Sequence, residues 1–388
     1  MKLERETIIK DGYDVIVVGG GIAGVAASVA AARSGVKVLL IEKAVNLGGL
    51  ATNGLISWYE PLCDGRGKQM IFGLAEELIR LSCKTGYGRL PKAWGGDGSS
   101  TYTRFAADFS PTAFMLELDR FVIENGVKLR FDTLATYPVV ENGIVTGVVC
   151  ESVSGCELFP AKAVVDATGS AAVFKGAGAE TVAGKNYTSY IAHGFTVDDA
   201  AKLADGDIRA FRRWINSGSD MLGNGQPENV PLCEGVTAES VTEFVVCGKA
   251  RMLKLLSEKE KGSAELMALP FMPQLRTVRR IVGNSDFCAE NGVTFVDAIA
   301  SCGDFRMNNI GNHYEIPFGA LWNGKIKNLL AAGRIISSPQ GDGWEVARVI
   351  PVCALTGEAA GKAAALLVKE NKTLKDLSAD DIKKIRVC

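Results

Sequence analysis

The glycine-rich turn in "VIVVGGGIAG", residues 15–24, constrains the fold of this chain more than any other feature. Gly19, Gly21 and Gly24 have the spacing GxGxxG between a β-branched apolar stretch and an alanine-rich stretch. Glu42 ends the next apolar run, 23 residues after Gly19. A strand, a glycine turn, a helix, a second strand and an acid form the pattern of a βαβ unit that holds a dinucleotide. We therefore predict a parallel α/β sheet with a nucleotide at this turn.

Each position of the turn has a physical role. Gly19 permits the tight turn, Gly21 lets the backbone approach a pyrophosphate, and Gly24 lets helix and strand pack closely. The helix N-terminus offers free N–H groups and a positive dipole end to phosphate. Glu42 can accept hydrogen bonds from the adenosine ribose, and its charge disfavours the 2′-phosphate of NADP.

The segment after Glu42 indicates which cofactor is bound. An NAD-dependent dehydrogenase usually continues with regular βαβ repeats, whereas this chain enters the glycine-rich stretch "NLGGLATNG", residues 46–54. Such a stretch suits a backbone that follows a longer cofactor, so we predict FAD. Far downstream, "VVDATGS" (164–170) is a second buried strand that runs into a Thr-Gly turn. We expect its end to lie beside the first glycine turn, at the same cofactor.

The texture of the chain predicts two domains. Residues 110–126 predict a helix with Ser110 as N-cap, and a β-meander follows up to the strand 163–167. Residues 176–325 lack the βαβ rhythm, and "FRRWINS" in this stretch predicts a helix. A buried strand at 327–336 and a small-residue helix at 350–371 return to the first texture. We predict an α/β fold with an FAD-binding domain at 1–60, 105–175 and 326–388, and an α+β substrate or capping domain at 61–104 and 176–325.

Composition argues against several classes of partner and setting. The 388 residues carry 43 basic and 44 acidic side chains, a balance that disfavours nucleic acid as the main partner. The first residues mix both charges, unlike a signal peptide, and glycines interrupt the long apolar stretch 15–41, unlike a membrane span. The ten cysteines include no CxxC pair, so we expect no metal and a reducing, cytoplasmic setting.

Taken together, these motifs resemble a known family. GxGxxG with its acid, the Gly-Gly loop, "VVDATG", "LLAAGR" and "TGEAAGKAAA" are similar to FAD-dependent oxidoreductases of the glutathione-reductase-like fold. "LRTVRRIVG" (275–283) and "YEIPFGAL" (314–321) resemble a bacterial family related to the flavoprotein subunits of fumarate reductases. The His and Arg set of the fumarate reductase capping domain has no residue-by-residue match here.

The resemblance implies an FAD-binding Rossmann-like (GR2-type) domain that is split in sequence, with an inserted domain that caps the flavin. Together with the motif positions, it predicts these FAD contacts: Gly19, Gly21, Ile22, Ala23, Gly24, Glu42, Lys43, Gly49, Leu50, Ala51, Thr52, Leu134, Ala135, Ala167, Thr168, Gly169, Gly333, Arg334 and Arg348. Arg334 is expected at the pyrophosphate or the flavin. The N-terminus of the helix 350–371 would favour a reduced, anionic flavin.

Candidate catalytic residues lie in the predicted capping domain. His313 and Tyr314 precede the return to the FAD domain, and either could take the proton of a substrate hydroxyl group. His193 is the other histidine of the chain and a weaker candidate. Arg276 and Arg280, with Arg279 between them, could bind a carboxylate or phosphate in "LRTVRR". In the polar loop 338–348, Asp342, Trp344 and Glu345 are further candidates to face the flavin.

The leading functional hypothesis is hydride transfer between flavin N5 and a small polar substrate, with the CH–OH group of a sugar or hydroxy acid favoured. One alternative is reduction of the C=C bond of an unsaturated carboxylic acid. Another is an FAD-binding scaffold or a relative of RNA-modifying proteins. The expected partners are a small-molecule substrate and an unknown electron donor or acceptor, with no nucleic acid and no membrane. A homo-oligomer is compatible with the sequence.

Overall fold

The structure is a computed structural model that describes residue 4 and residues 6–91, 105–220, 223–339 and 341–387, without the side chains of Met307 and Asp342. The strands are β1 (Ile8–Ile9), β2 (Tyr13–Val18), β3 (Val38–Ile41), β4 (Trp58–Tyr59), β5 (Ala107–Asp108), β6 (Lys128–Arg130), β7 (Leu134–Glu141), β8 (Ile144–Ser152), β9 (Gly155–Asp166), β10 (Thr181–Ala183), β11 (Ser189–Thr196), β12 (Arg213–Gly218), β13 (Ala264–Ala268), β14 (Arg279–Ile281), β15 (Ala298–Gly303), β16 (His313–Pro317) and β17 (Leu329–Ala331). The α-helices are α1 (Ile22–Arg33), α2 (Leu74–Ser82), α3 (Pro111–Glu124), α4 (Ala172–Gly176), α5 (Val197–Ala204), α6 (Ala238–Ser257), α7 (Asp342–Ala347), α8 (Ile350–Glu370) and α9 (Ala379–Ile385).

An eight-stranded sheet forms the centre of the fold. Its parallel part has the order β6–β3–β2–β9–β17, and β9 also continues an antiparallel meander with β8 and β7. Strand β3 is buried along its whole length, as expected for a strand covered on both faces. Val18 of β2 is paired with Asp166 of β9. The two strand ends therefore lie side by side, and this prediction is confirmed.

Helices α1 and α8 pack closely against each other. A Cβ atom added to Gly357 would lie 2.2 Å from the Ala23 carbonyl oxygen, and one added to Gly361 would lie 2.1 Å from that of Ala27. These glycines of α8 therefore serve a helix–helix contact. By length and composition, α8 is the helix of the described chain that could span a membrane, and 78% of its apolar window is buried inside the fold.

Smaller sheets lie between residues 176 and 325. Strand β11 pairs with β12 and β13, and β10 pairs with β14. The predicted helix at "FRRWINS" is wrong, because these residues form a short 3₁₀ turn and then β12, where Trp214 is paired with His193 of β11. Helix α2, which the prediction assigned to the capping domain, packs onto α8, where Leu74 N–H donates to Glu358 at 2.7 Å. The domain boundaries stay a prediction.

Candidate functional site

The C-terminal edge of the parallel sheet brings three predicted cofactor segments together. Gly19 N–H donates to Ile41 O at 2.8 Å, and Ala167 N–H donates to Val18 O at 2.8 Å. The segment that begins at Ala332 follows β17 at the same edge, where Ala332 N–H donates to Asp166 O. Three segments thus leave neighbouring strands at one place. In open α/β sheets, nucleotides bind outside the carboxyl ends of the strands.

The three glycines of the first turn have different surroundings. Gly19 has φ +101°, and an added Cβ would lie 2.6 Å from Ala167 O. At Gly24, an added Cβ would lie 1.8 Å from Gly19 O. No described atom lies within 4 Å of a Cβ added to Gly21. The backbone at the start of α1, with the buried Ile22 and Ala23 behind it, is therefore open at Gly21, as the approach of a pyrophosphate requires.

Glu42, the predicted ribose contact, is bonded to the backbone beside this turn. Its carboxylate accepts hydrogen bonds from Gly20 N–H at 2.6 Å and from Ala44 N–H at 2.8 Å. A carboxylate has about four acceptor positions, so further positions remain for ribose hydroxyl groups. Thr133 N–H donates to Glu42 O at 3.2 Å, which brings the start of β7, with Leu134 and Ala135, beside it. The Lys43 side chain is exposed.

The Gly-Gly loop packs against the glycine turn. Gly48 N–H donates to Gly20 O at 2.8 Å, and a Cβ added to Gly49 would lie 3.1 Å from the Cα atom of Gly21. Beyond Leu50, the loop residues Ala51 and Thr52 are buried, and the Thr52 hydroxyl donates to a carbonyl of the same loop. The loop is therefore held in place beside the N-terminus of α1.

A buried carboxylate organises the second turn. Asp166 accepts hydrogen bonds from the N–H and the hydroxyl of Thr168, at 3.1 and 2.7 Å, and from the N–H groups of Val173 and Phe174. Burial raises the pKa of Asp166. These bonds hold the turn that carries Gly169 against the start of α4. Sequence reasoning missed this role of Asp166, although the Asp-Ala-Thr spacing at a strand end is a signal of such a turn.

Arg334 connects this turn to the "LRTVRR" segment. Its Nε donates to Gly169 O at 2.7 Å, and its Nη1 donates to Leu275 O at 2.9 Å. Burial lowers the pKa of Arg334 to about 10. The preceding Gly333, with φ +76°, donates its N–H to Thr356 Oγ1 at 3.0 Å. Because two donors of Arg334 already bind carbonyl groups, its predicted contact with pyrophosphate or flavin stays a prediction.

Arg276 and Arg348 extend this positive charge. Burial and then the charge of Arg348 lower the pKa of Arg276. Arg348 donates from Nε to Glu345 at 2.9 Å and lies over the ring of Phe305. We call Arg276, Arg334 and Arg348 the arginine group. Its three cations exceed the two negative charges, of Glu345 and Asp220, that face Arg276, so the group would stabilise an anion.

His313 and Tyr314, the predicted acid–base pair, do not both offer a free polar group at this edge of the sheet. His313 is exposed at the start of β16. Tyr314 is buried, and its hydroxyl donates to Asp304 at 2.7 Å. Burial and the bond to Asp304 raise the pKa of Tyr314 to about 12. Arg306 and Asn309 donate to the same carboxylate, so Tyr314 belongs to a closed network. The catalytic roles of His313 and Tyr314 stay predictions.

The other candidates have separate surroundings. Arg279 donates to Val236 O at 2.9 Å, and Arg280 donates to the neighbouring Ile281 O at 3.2 Å. Trp344 is fully buried, and its indole N–H donates to Arg334 O at 2.7 Å, whereas we expected its ring to face the flavin. The side chain of Asp342 lies outside the described residues.

The surroundings of His193 strengthen its candidacy as a functional residue. Its side chain is fully buried, and Nε2 lies 3.1 Å from Leu55 O, just beyond the Gly-Gly loop. Because a carbonyl only accepts, Nε2 carries the proton and Nδ1 is an acceptor. Nδ1 is buried without a hydrogen-bond partner among the described residues. Burial lowers the pKa of His193 to about 4, so the ring is neutral at pH 7. The open backbone at Gly21 and this unpaired acceptor fit a bound FAD.

Comparison with known proteins decides the family. A model of the FAD-dependent oxidoreductase family matches residues 14–226 and 251–386. The chain belongs to this family. FAD is therefore its cofactor, and the chain is an oxidoreductase.

Individual relatives of this FAD-dependent oxidoreductase are distant. The digeranylgeranylglycerophospholipid reductase of Methanoculleus marisnigri is 28% identical over 184 residues, which span 45% of this chain and 43% of that protein. A geranylgeranyl bacteriochlorophyll reductase-like protein from Thermoplasma acidophilum gives a TM-score of 0.49 at 16% identity, over 97% of this chain and 82% of the other. A p-nitrophenol 4-monooxygenase from Pseudomonas putida gives 0.45 at 12% identity, over 97% and 84%.

Proposed function

We propose that this FAD-dependent oxidoreductase reduces the C=C bond of a small anionic substrate, such as an unsaturated carboxylic acid. The arginine group is the observation that carries the proposal, because Arg276 and Arg348 lie together in a mostly buried setting, with Glu345 and Asp220 as the nearby acids. When bound, FAD supplies a hydride exchange at its N5 atom. The curated relative matched over part of the chain is also named a reductase, which supports the direction.

The residues of the arginine group would divide the work. Arg348 would bind the substrate carboxylate through charge-assisted hydrogen bonds. Glu345 would orient the Arg348 guanidinium, because it accepts a hydrogen bond from Nε. Arg276 would deliver a proton to the carbon that does not receive the hydride, and its lowered pKa makes it a better acid. One hydride and one proton then saturate the double bond. Arg334 would hold the "LRTVRR" segment in position through Leu275 O.

A second candidate function is oxidation of a CH–OH group, and His193 favours it. Its unpaired, buried Nδ1 is the kind of acceptor that takes a hydroxyl proton. In this proposal His193 takes the place of Tyr314 as the base, because the Tyr314 hydroxyl is bonded to Asp304.

Anaerobic flavin spectroscopy tests the first proposal against the second. Protein reduced with dithionite is mixed with fumarate or crotonate, and the return of flavin absorbance is followed. We expect reoxidation, slowed about 100-fold or more in Arg276→Gln. Arg279→Gln is the matched control, because Arg279 lies in the same "LRTVRR" segment as Arg276 but donates to Val236 O. Bleaching of the oxidised protein by hydroxy acids, without reoxidation by unsaturated acids, would transfer the assignment to the second candidate.

The proposal also includes the setting of the enzyme. We propose a cytoplasmic protein with a small-molecule substrate, a separate electron donor and no nucleic acid or membrane partner, in a form that admits a homo-oligomer. The net charge of −1 supports the absence of a nucleic-acid partner. The proposed relation to fumarate reductase flavoprotein subunits rests on the same unsaturated-acid chemistry.

A further inference from the structure

A cleft of about 410 Å³ lies between β12 and the paired strands β4 and β5, within the usual size range of small-molecule sites. Trp58, Tyr87 and Trp214 give it aromatic surface. Trp58 is 43% exposed and Trp214 is 36% exposed, although rings of this size are usually well buried. We propose that this cleft, the tryptophan cleft, binds a planar conjugated ring that carries one anionic group.

The aromatic walls of the tryptophan cleft are held in place by the protein. The indole N–H of Trp214 donates to Ser57 Oγ at 3.0 Å. Its ring lies nearly parallel to that of His193, with 20° between the planes and 6.5 Å between the centroids. The backbone of Trp58 is paired with Asp108 across β4 and β5. Because these contacts order the Trp214 ring and the backbone of Trp58 in advance, a ligand loses less free energy to ordering when it binds.

The free donors of Arg212 assign the anchor for an anion in the tryptophan cleft. Arg209 donates to Asp207 at 3.0 Å and also faces the charge of Asp108, so its own charge is balanced. Arg212 donates from Nη2 to the uncharged Thr112 hydroxyl at 3.2 Å. A guanidinium has five donors, so Arg212 retains groups for a carboxylate or phosphate. We therefore assign Arg212 as the anion anchor.

Burial keeps Tyr87 uncharged in the tryptophan cleft. Its hydroxyl donates to Phe109 O at 2.8 Å, and burial raises its pKa to about 12. Tyr87 therefore contributes ring surface without repelling an anion near neutral pH.

Titration of the holoprotein, followed by tryptophan fluorescence, tests this site without any turnover. The probes are 1-naphthoate, its uncharged analogue 1-naphthalenemethanol, and cyclohexanecarboxylate, which keeps the charge but not the aromatic ring. We expect saturable quenching by 1-naphthoate and at least about tenfold weaker binding of the other two. AMP is a second planar anion, and tighter binding of AMP than of 1-naphthoate would assign the site to nucleotides.

Variants separate the cleft from other tryptophans and arginines. Arg212→Gln should weaken 1-naphthoate binding about tenfold or more, while Arg120→Gln on the exposed side of α3 should not. Trp58→Phe should reduce the quenching, while Trp322→Phe should leave it unchanged. Equal binding of the charged and uncharged naphthalenes, or unchanged binding in Arg212→Gln, would overturn the proposal. Because binding is read directly, either result is independent of whether an unsaturated acid is the substrate.

Discussion

Gly21 and Gly24 lie three residues apart in the same turn, but a methyl group added at each would have different consequences. The methyl of Gly24→Ala would overlap Gly19 O at 1.8 Å, so we expect a loss of stability of about 3 kcal/mol or more. The methyl of Gly21→Ala meets no described atom within 4 Å, and Gly21 has an ordinary φ of −64°. Gly21→Ala should therefore fold normally and bind FAD at least about tenfold more weakly, because the methyl occupies the pyrophosphate approach.

Thermal unfolding measures the loss of stability. Titration of FAD into apoprotein that has been unfolded and refolded measures the affinity for FAD. Gly12→Ala is a control in the exposed segment before β2, where an added Cβ makes ordinary contact at 3.5 Å. Wild-type FAD affinity in Gly21→Ala would show that the pyrophosphate does not pass this residue.

His193 makes stability depend on pH in a defined window. An unfolded histidine titrates near pH 6.5, whereas burial lowers the pKa of His193 to about 4. Between these values the unfolded chain binds the extra proton, so stability falls as pH falls from 6.5 to 4 and is unaffected above this window. The loss from this residue is at most about 3 kcal/mol. Denaturant unfolding of His193→Gln across pH 4–7 should show a shallower slope than wild type, and an unchanged slope would contradict the assignment.

At the scale of elements, the contact between α1 and α8 reverses the usual effect of a helix glycine. Replacing glycine by alanine inside a helix ordinarily stabilises it by roughly 1 kcal/mol. At Gly361 the added Cβ would lie 2.1 Å from Ala27 O, so the helices must separate. We expect Gly361→Ala to destabilise the protein by about 1–3 kcal/mol. A gain in melting temperature would show that the two helices are not in this close contact.

Strand β11 and the segment that follows β13 are joined to the Gly-Gly region by a short series of hydrogen bonds. Phe271 N–H donates to Asn53 O at 2.8 Å, and Gln274 Nε2 donates to Gly54 O at 2.7 Å. Gln274 also exchanges hydrogen bonds with both backbone groups of Ile191. Gln274→Leu would leave these buried groups unpaired, at a cost of about 1–3 kcal/mol for each. We expect a large fall in the urea midpoint, and an unchanged midpoint would contradict this role.

For the whole molecule, binding of FAD should be coupled to folding, because its predicted contacts come from segments far apart in the chain. A ligand at 100 times its Kd stabilises the folded state by about 2.7 kcal/mol. The melting temperature of the apoprotein should therefore rise with FAD concentration, and Gly21→Ala should move this dependence to higher concentrations. A melting temperature that FAD does not change would contradict a site built from the folded sheet edge.

Local patterns predicted much of the fold and the nucleotide edge. The GxGxxG turn and the helix capped by Ser110 depend on residues that are close together in the chain. Glu42 is recognised from its place at the end of the next strand, although it bonds Gly20, 22 residues away. The pairing of the strand ends at Val18 and Asp166 followed from the requirement that parallel strands deliver their carboxyl ends to one edge. These features are readable because backbone geometry restricts which residues can occupy them.

The surroundings of the candidate catalytic residues were decided by tertiary structure. Tyr314 is bonded to Asp304, and β12 is a strand because its residues pair with β11. The tryptophan cleft joins Trp58 to Trp214, more than 150 residues away in the chain. The sequence by itself determined the βαβ unit and its glycine turn, because local backbone sterics and apolar spacing dictate them. Only the folded chain decided which side chains meet, because burial and pairing between distant segments have no local pattern.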